Sequence, residues 1–340
     1  MNCVSSFQFE PSSSQIIPYV QQIITSPNGI VASTSENKIH LFDYQNLNNN
    51  TLIGSHAVQL TNALVRDNLV LSSGLDKLVK VWDLRSRSGT PVQSLSAPFP
   101  LLSLDLNCTG QYVVGGSEQV DQKTAKAGVF CGKGFEADTE VGLFFWDLRM
   151  PPFELAAFID SHSNDVTQIN FHPVLPKQFL SSSTDGLVCM YDFEQTMDEN
   201  DAMVYSFNID ISVQQAGYFG PNYEYVYCIS DMNTLSFWTN ESTKLSEFND
   251  LCSEESNANQ EMPVDYMISC TYDSSSNNMY LNSGDFSGNV HLFKANTDRL
   301  DKVLTLSGGH SDIVRSVQWD FQNYKAVSGG EDGKICLWSA

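Results

Sequence analysis

Hydrophobic and polar positions alternate along this chain in short runs, and seven of the runs finish alike, with an aromatic residue followed by a polar one. The aromatics are Phe42, Trp82, Trp146, Tyr191, Trp238, Phe293 and Trp338, in segments such as Lys80-Val81-Trp82-Asp83 and Cys336-Leu337-Trp338-Ser339. Alternation with a period of two puts every second side chain on one face of a strand, so each run reads as a half-buried β-strand. Successive aromatics are 40, 64, 45, 47, 55 and 45 residues apart. A unit of about 40 to 45 residues is the length of one four-stranded propeller blade. The pattern predicts an all-β, seven-bladed β-propeller, one domain over residues 1–340, with two units lengthened by insertions.

The turns agree with this reading. Asp185-Gly186 and Asp332-Gly333 each sit between two alternating runs, where glycine accepts the positive φ of a tight hairpin. Asp76, Asp185 and Asp332 all lie six residues before their aromatic, and His56, His162 and His310 open the same units. The last unit stops two residues after Trp338, which leaves the seventh blade one strand short. Residues 4–10 alternate polar and apolar ahead of a first inner strand predicted near residues 19–25. They are expected to supply the missing outer strand and so to leave no open sheet edge.

These residues resemble the WD-repeat (WD40) family. The resemblance implies that in each blade a His from the loop before the inner strand, a strand Ser/Thr, a turn Asp and the Trp form a hydrogen-bonded chain. Carried over residue by residue, the full set is His56, Ser72, Asp76 and Trp82, and again His310, Ser328, Asp332 and Trp338; His162, Ser181 and Asp185 have Tyr191 in place of Trp. Elsewhere the pattern thins. Glu36 stands at the first turn position, Ser287 at the sixth, and Asp231 lies one residue out of register. A buried indole N–H and a turn carboxylate both need partners that an imidazole can bridge, so these histidines are expected to be structural. His40 and His291, on third strands, are expected to be ordinary strand residues. Within the family, segments 161–173, 145–150, 115–120 and 308–319 are similar to the WD repeat-containing protein 89 group, which implies no enzymatic role.

Charge narrows the partners. The chain has 340 residues, with 18 Lys and Arg against 40 Asp and Glu, a formal charge of −22. An acidic surface is a poor match for nucleic acid or an anionic membrane, and neither is expected as a direct partner. There is no run of about 18 apolar residues to span a bilayer, and Met1-Asn2-Cys3-Val4-Ser5 lacks the layout of a secretory signal, so a cytoplasmic and/or nuclear location is expected. The eight cysteines are scattered without a Cys-X-X-Cys pair and read as reduced thiols; no metal or cofactor is expected.

The insertions carry the first candidate surface. One falls at residues 117–140, in the turn between the second and third strands of the third blade. Its Gly128, Gly132, Lys133 and Gly134 do not have the spacing of a phosphate loop. The other, residues 249–263, precedes the sixth blade and is rich in carboxylates, among them Asp250, Glu254, Glu255 and Glu261. Both connections open on the same rim of a propeller, so the second makes that rim acidic. Solvation alone would account for such a loop. The functional alternative is a protein–protein scaffold whose acidic rim attracts a basic peptide or protein.

A second candidate lies on the opposite rim. Trp82-Asp83-Leu84-Arg85 and Trp146-Asp147-Leu148-Arg149 match the Trp-Asp-X-Arg motif of WD-repeat substrate receptors. The match implies docking of Arg85 and Arg149 on the adaptor of a cullin-4 ubiquitin ligase; pairing of each Arg with an Asp of its own blade is the plainer reading. No nucleophile elbow and no His pair at metal-ligand spacing occurs, so no catalytic residues are assigned and the chain is read as a non-enzyme.

Overall fold

The computed structural model describes residues 1–11, 16–86, 88–121, 139–249, 251–252 and 264–340. It contains seven four-stranded antiparallel sheets, six of them built from strands in chain order. In the second blade, for instance, Leu60–Arg66 is followed outward by Leu69–Gly74, Leu78–Asp83 and Gln93–Ser96. The innermost strand of every blade carries a register shift near its start, such as Leu60/Asn62 and Val314/Ser316. A bulge at a fixed place adds local twist, and its repetition gives seven sheets the same coil about a common axis.

The seventh sheet is the exception in order. Its outer strand is Asn2–Gln8, paired antiparallel with the last strand, Lys334–Ser339. The ladder lies two residues earlier than the 4–10 expected from alternation. Its position is set by the partner: Lys334 is the first residue of the last strand, so Gln8 is the last that can pair in register. Beyond it only the Phe9 N–H reaches across, to the Gly333 carbonyl at 3.0 Å.

First-to-second and third-to-fourth turns lie on one face, here called lower; second-to-third turns and blade-to-blade connections lie on the upper face. The core sits between blades. Leu71, Val79 and Val81 of the second blade pack with Val113, Phe144 and Trp146 of the third. Trp82 closes against the outer strand of the first blade, where any side chain in place of Gly54 would collide with its indole. Gly309 plays the same part opposite Trp338.

Candidate functional site

The predicted hydrogen-bonded chains are present in three blades. His56 Nδ1 is 2.9 Å from Asp76 Oδ1, its Nε2 is 2.7 Å from Ser72 Oγ, and Trp82 Nε1 donates to that same oxygen at 2.9 Å. His310 repeats this with Asp332 at 3.0 Å and Ser328 at 2.7 Å, and Trp338 donates to Ser328 Oγ at 2.7 Å. A carboxylate can only accept, so each imidazole carries its proton on Nδ1 and accepts the serine hydroxyl at Nε2. His162 joins Asp185 at 3.1 Å and Ser181 at 2.7 Å, but Tyr191 offers no indole N–H and instead stacks on Phe179 at 4.7 Å. Burial works against the charge on Asp332, yet His310 and the N–H groups of Ser311 and Lys334 hold its pKa down at about 2. The rings and carboxylates are buried on several sides and committed to one another, which suits them to holding blades together.

The other blades depart from the pattern. Gly115 lies where Ser72 does in the second blade, and Trp146 Nε1 is buried with no hydrogen-bond partner among the described residues. In the fifth blade Trp238 donates to Ser236 on its own strand at 2.8 Å, and the exposed Asp231 has no histidine partner among the described residues. The sixth blade overturns one expectation. His291 is not an ordinary strand residue: it is fully buried, its Nδ1 is 3.0 Å from Thr305 Oγ1 and its Nε2 faces Asp285 Oδ2 at 3.4 Å. Ser287 stands at the turn position read from the sequence, and Asp285, two residues earlier, accepts the N–H groups of Ser287 at 2.9 Å and Asn289 at 3.0 Å. The histidine was missed because it comes from the third strand rather than from the preceding loop. His40 is a strand residue as expected, packed against Phe9 and Phe42.

On the lower face, both Trp-Asp-X-Arg arginines fold back on their own aspartates. Arg85 Nη2 meets Asp83 Oδ2 and Arg149 Nη2 meets Asp147 Oδ2, each at 2.7 Å, with Nε on the second carboxylate oxygen at 2.9 and 3.0 Å. The forks fix two guanidinium groups that stay about two-thirds or more exposed, at 71% and 66%. Exposed Met150 and Phe153 follow the second of them.

On the upper face, Asp250, Glu254, Glu255 and Glu261, and residues 122–138 of the other insertion, lie outside the described residues. The rest of that rim can be read. Its bases are occupied: Lys38 by Glu36 at 2.7 Å, Lys80 by Asp76 at 3.4 Å, Arg315 by Glu331, Lys334 by Asp332 at 3.6 Å, and Lys77 by the Pro98 carbonyl at 3.0 Å. Asp160, Asp210, Asp231 and Asp312 are exposed and have no basic partner among the described residues. Sequence reasoning overlooked these four because they are dispersed over separate connections. Among the described residues no group of three or more His, Cys, Asp and Glu is placed to hold a metal, and no helix is long and apolar enough to cross a membrane.

Seven radial four-stranded sheets, three of them with the His–Ser–Asp network and two of those three completed by Trp, define a β-propeller of the WD type, a class whose members serve as protein-interaction scaffolds. The chain belongs to the WD-repeat family. The model of the WD domain, G-beta repeat, matches residues 153–192 and 301–339. A WD repeat-containing protein 89 homolog of Dictyostelium discoideum is 30% identical over 94% of the chain and 82% of its own length. WD repeat-containing protein GTS1 of Arabidopsis thaliana is 30% identical over 58% of the chain and 53% of its own length. Nuclear pore complex protein nup43 of Dictyostelium discoideum is 22% identical over 49% of the chain and 36% of its own length.

Proposed function

We propose that this propeller is a non-catalytic scaffold whose upper rim binds a basic peptide or protein within a cytoplasmic or nuclear assembly. The observation that carries this reading is an imbalance among the described residues of that rim: the described bases are paired internally while Asp160, Asp210, Asp231 and Asp312 have no basic partner. Carboxylates spread over a rigid ring attract a cationic segment from several directions and raise its encounter rate. The acids of residues 249–263 add to the same charge in sequence. Affinity purification at two salt concentrations tests this. Partners rich in Lys and Arg should be held at low salt, released at high salt, and lost when the four aspartates are changed to Asn and residues 249–263 removed. An unchanged partner set would end the idea.

A second reading has its own support. The arginine forks at Arg85 and Arg149, with Met150 and Phe153 beside the latter, offer a fixed cationic and apolar surface on the lower face, suited to the carboxylates of a cullin-4 ligase adaptor. Recovery of that adaptor, abolished by Arg85→Ala with Arg149→Ala, would favour a substrate-receptor role.

A further inference from the structure

We infer that the lower face holds a second, separate site: an aromatic and acidic cleft under the seventh blade that takes the side chain of an arginine presented by a partner protein. The cleft, about 840 Å³, opens between the sixth, seventh and first blades.

Its walls come from a repetition between neighbouring blades. The innermost strands Tyr266–Asp273 and Val314–Asp320 both end in an aromatic followed by aspartate, Tyr272-Asp273 and Trp319-Asp320. The two pairs occupy the same register: Tyr272 opposes Met279 and Trp319 opposes Ala326, one step before the turn in each blade. Adjacent blades therefore deliver two aromatics and two carboxylates to one opening. Tyr44, on the first blade, closes the far side. Asp320 lines the same cleft; burial, with Asp320 as a smaller contributor, raises the Tyr44 phenol pKa.

The aromatic faces are held in place. Trp319 Nε1 donates to Asn282 Oδ1 at 2.7 Å, and buried Asn282 donates in turn to Ser269 Oγ at 3.1 Å and Thr271 Oγ1 at 2.9 Å. Trp319, Phe321 and Tyr280 form a stack, with planes 13° and 22° apart at centroid distances of 5.9 and 4.7 Å. Of the five tryptophans, the other four stand on third strands as the closing aromatic of their blades. Trp319 alone is on an innermost strand, half-buried at an open mouth.

The carboxylates are fixed as well. Asp320 accepts the Asn323 N–H at 3.1 Å and its Nδ2 at 2.8 Å, and Asp273 accepts the Ser275 N–H at 3.0 Å, the Ser275 hydroxyl at 2.6 Å and the Ser276 hydroxyl at 2.5 Å. Asp320 keeps lone pairs for a further donor, while Asp273, already bonded to its own turn, contributes its negative charge. They outnumber Lys325, the single Lys or Arg on the wall.

A rigid π surface beside carboxylates selects a cation. A planar stack extends best with a planar one, and a guanidinium can lie on the ring face while its N–H groups reach acids on either side. This site is distinct from the upper rim and from the two arginine forks, and its occupant is the partner's arginine rather than one of this chain.

The test uses the full chain labelled with nitrogen-15, reading the indole N–H signals, with that of Trp319 identified by its loss in Trp319→Phe. The probe is acetyl-Gly-Gly-Arg-Gly-Gly-amide, compared with versions carrying citrulline, lysine or trimethyl-lysine in place of arginine. The arginine peptide should shift the Trp319 signal with saturation near 1 mM, in the range of a weak single-residue contact. Asp273→Asn with Asp320→Asn keeps one turn acceptor at each position and should weaken binding roughly tenfold, with the melting temperature reporting that the fold is retained. The citrulline peptide should leave the signal in place. An arginine peptide that leaves the Trp319 signal unmoved, an equal response to citrulline, or tighter binding of lysine or trimethyl-lysine would overturn the assignment.

Discussion

Each serine in the buried chains serves two partners at once. Ser328 accepts the Trp338 indole N–H and donates to His310, so Ser328→Ala strands a donor and an acceptor inside the molecule. The expected cost is about 1–3 kcal/mol, read as a lower urea midpoint. The histidines give a pH dependence of definite sign. Burial, with the Lys38 ammonium adding to it, pushes His40 down to about 4 from its ordinary 6.5; burial also lowers His56 and His291, against the pull of Asp76 and Asp285. The unfolded chain therefore takes up these protons first. Stability should be complete above about pH 6.5 and fall progressively toward pH 4, and His40→Leu should lose less between pH 7.5 and 5 than the parent. Denaturation midpoints at the two pH values decide it. Residues of this kind were legible where the whole motif sits in one register, as with His56, Ser72, Asp76 and Trp82. His291 and Asp285 were not, because their contact depends on a side chain reaching across a sheet, which spacing along the chain does not record.

At the scale of the element, the closing strand is the sensitive one. Removing residues 1–10 exposes the edge of Lys334–Ser339 and uncovers Cys336 and Trp338, against which Cys3 packs. The melting temperature should drop by more than about 10 °C, and the truncated chain should associate through the freed edge. An unaltered melting curve would show that the seventh blade does not need its fourth strand. The existence of that strand was readable from alternation in sequence; its register was not, since the partner's starting residue, Lys334, sets it. The aromatic cleft was hidden for a related reason. Tyr272-Asp273 and Trp319-Asp320 look unremarkable apart, and only the ring brings two strand ends of neighbouring blades to one opening.

For the whole molecule, the formal charge of −22 separates into parts with different roles. Asp76, Asp185 and Asp332 are consumed by histidines, and Asp83 and Asp147 hold arginine forks. Asp160, Asp210, Asp231 and Asp312 remain to face solvent on the upper rim. The seven-blade ring was legible from the period of its aromatics because each blade repeats the same strand chemistry; the division of charge was not, because pairing is decided in three dimensions.

The pairing of Cys3 with Trp338 joins residues more than 330 positions apart. A ribosome adding roughly 5–20 residues per second makes these partners tens of seconds apart. Throughout that interval Asn2–Gln8 lacks its ladder partner, while six blades can form behind it. Ring closure thus waits for Lys334–Ser339 to be made, and Asn2–Gln8 is the strand that most needs shielding from premature pairing with a neighbour's edge.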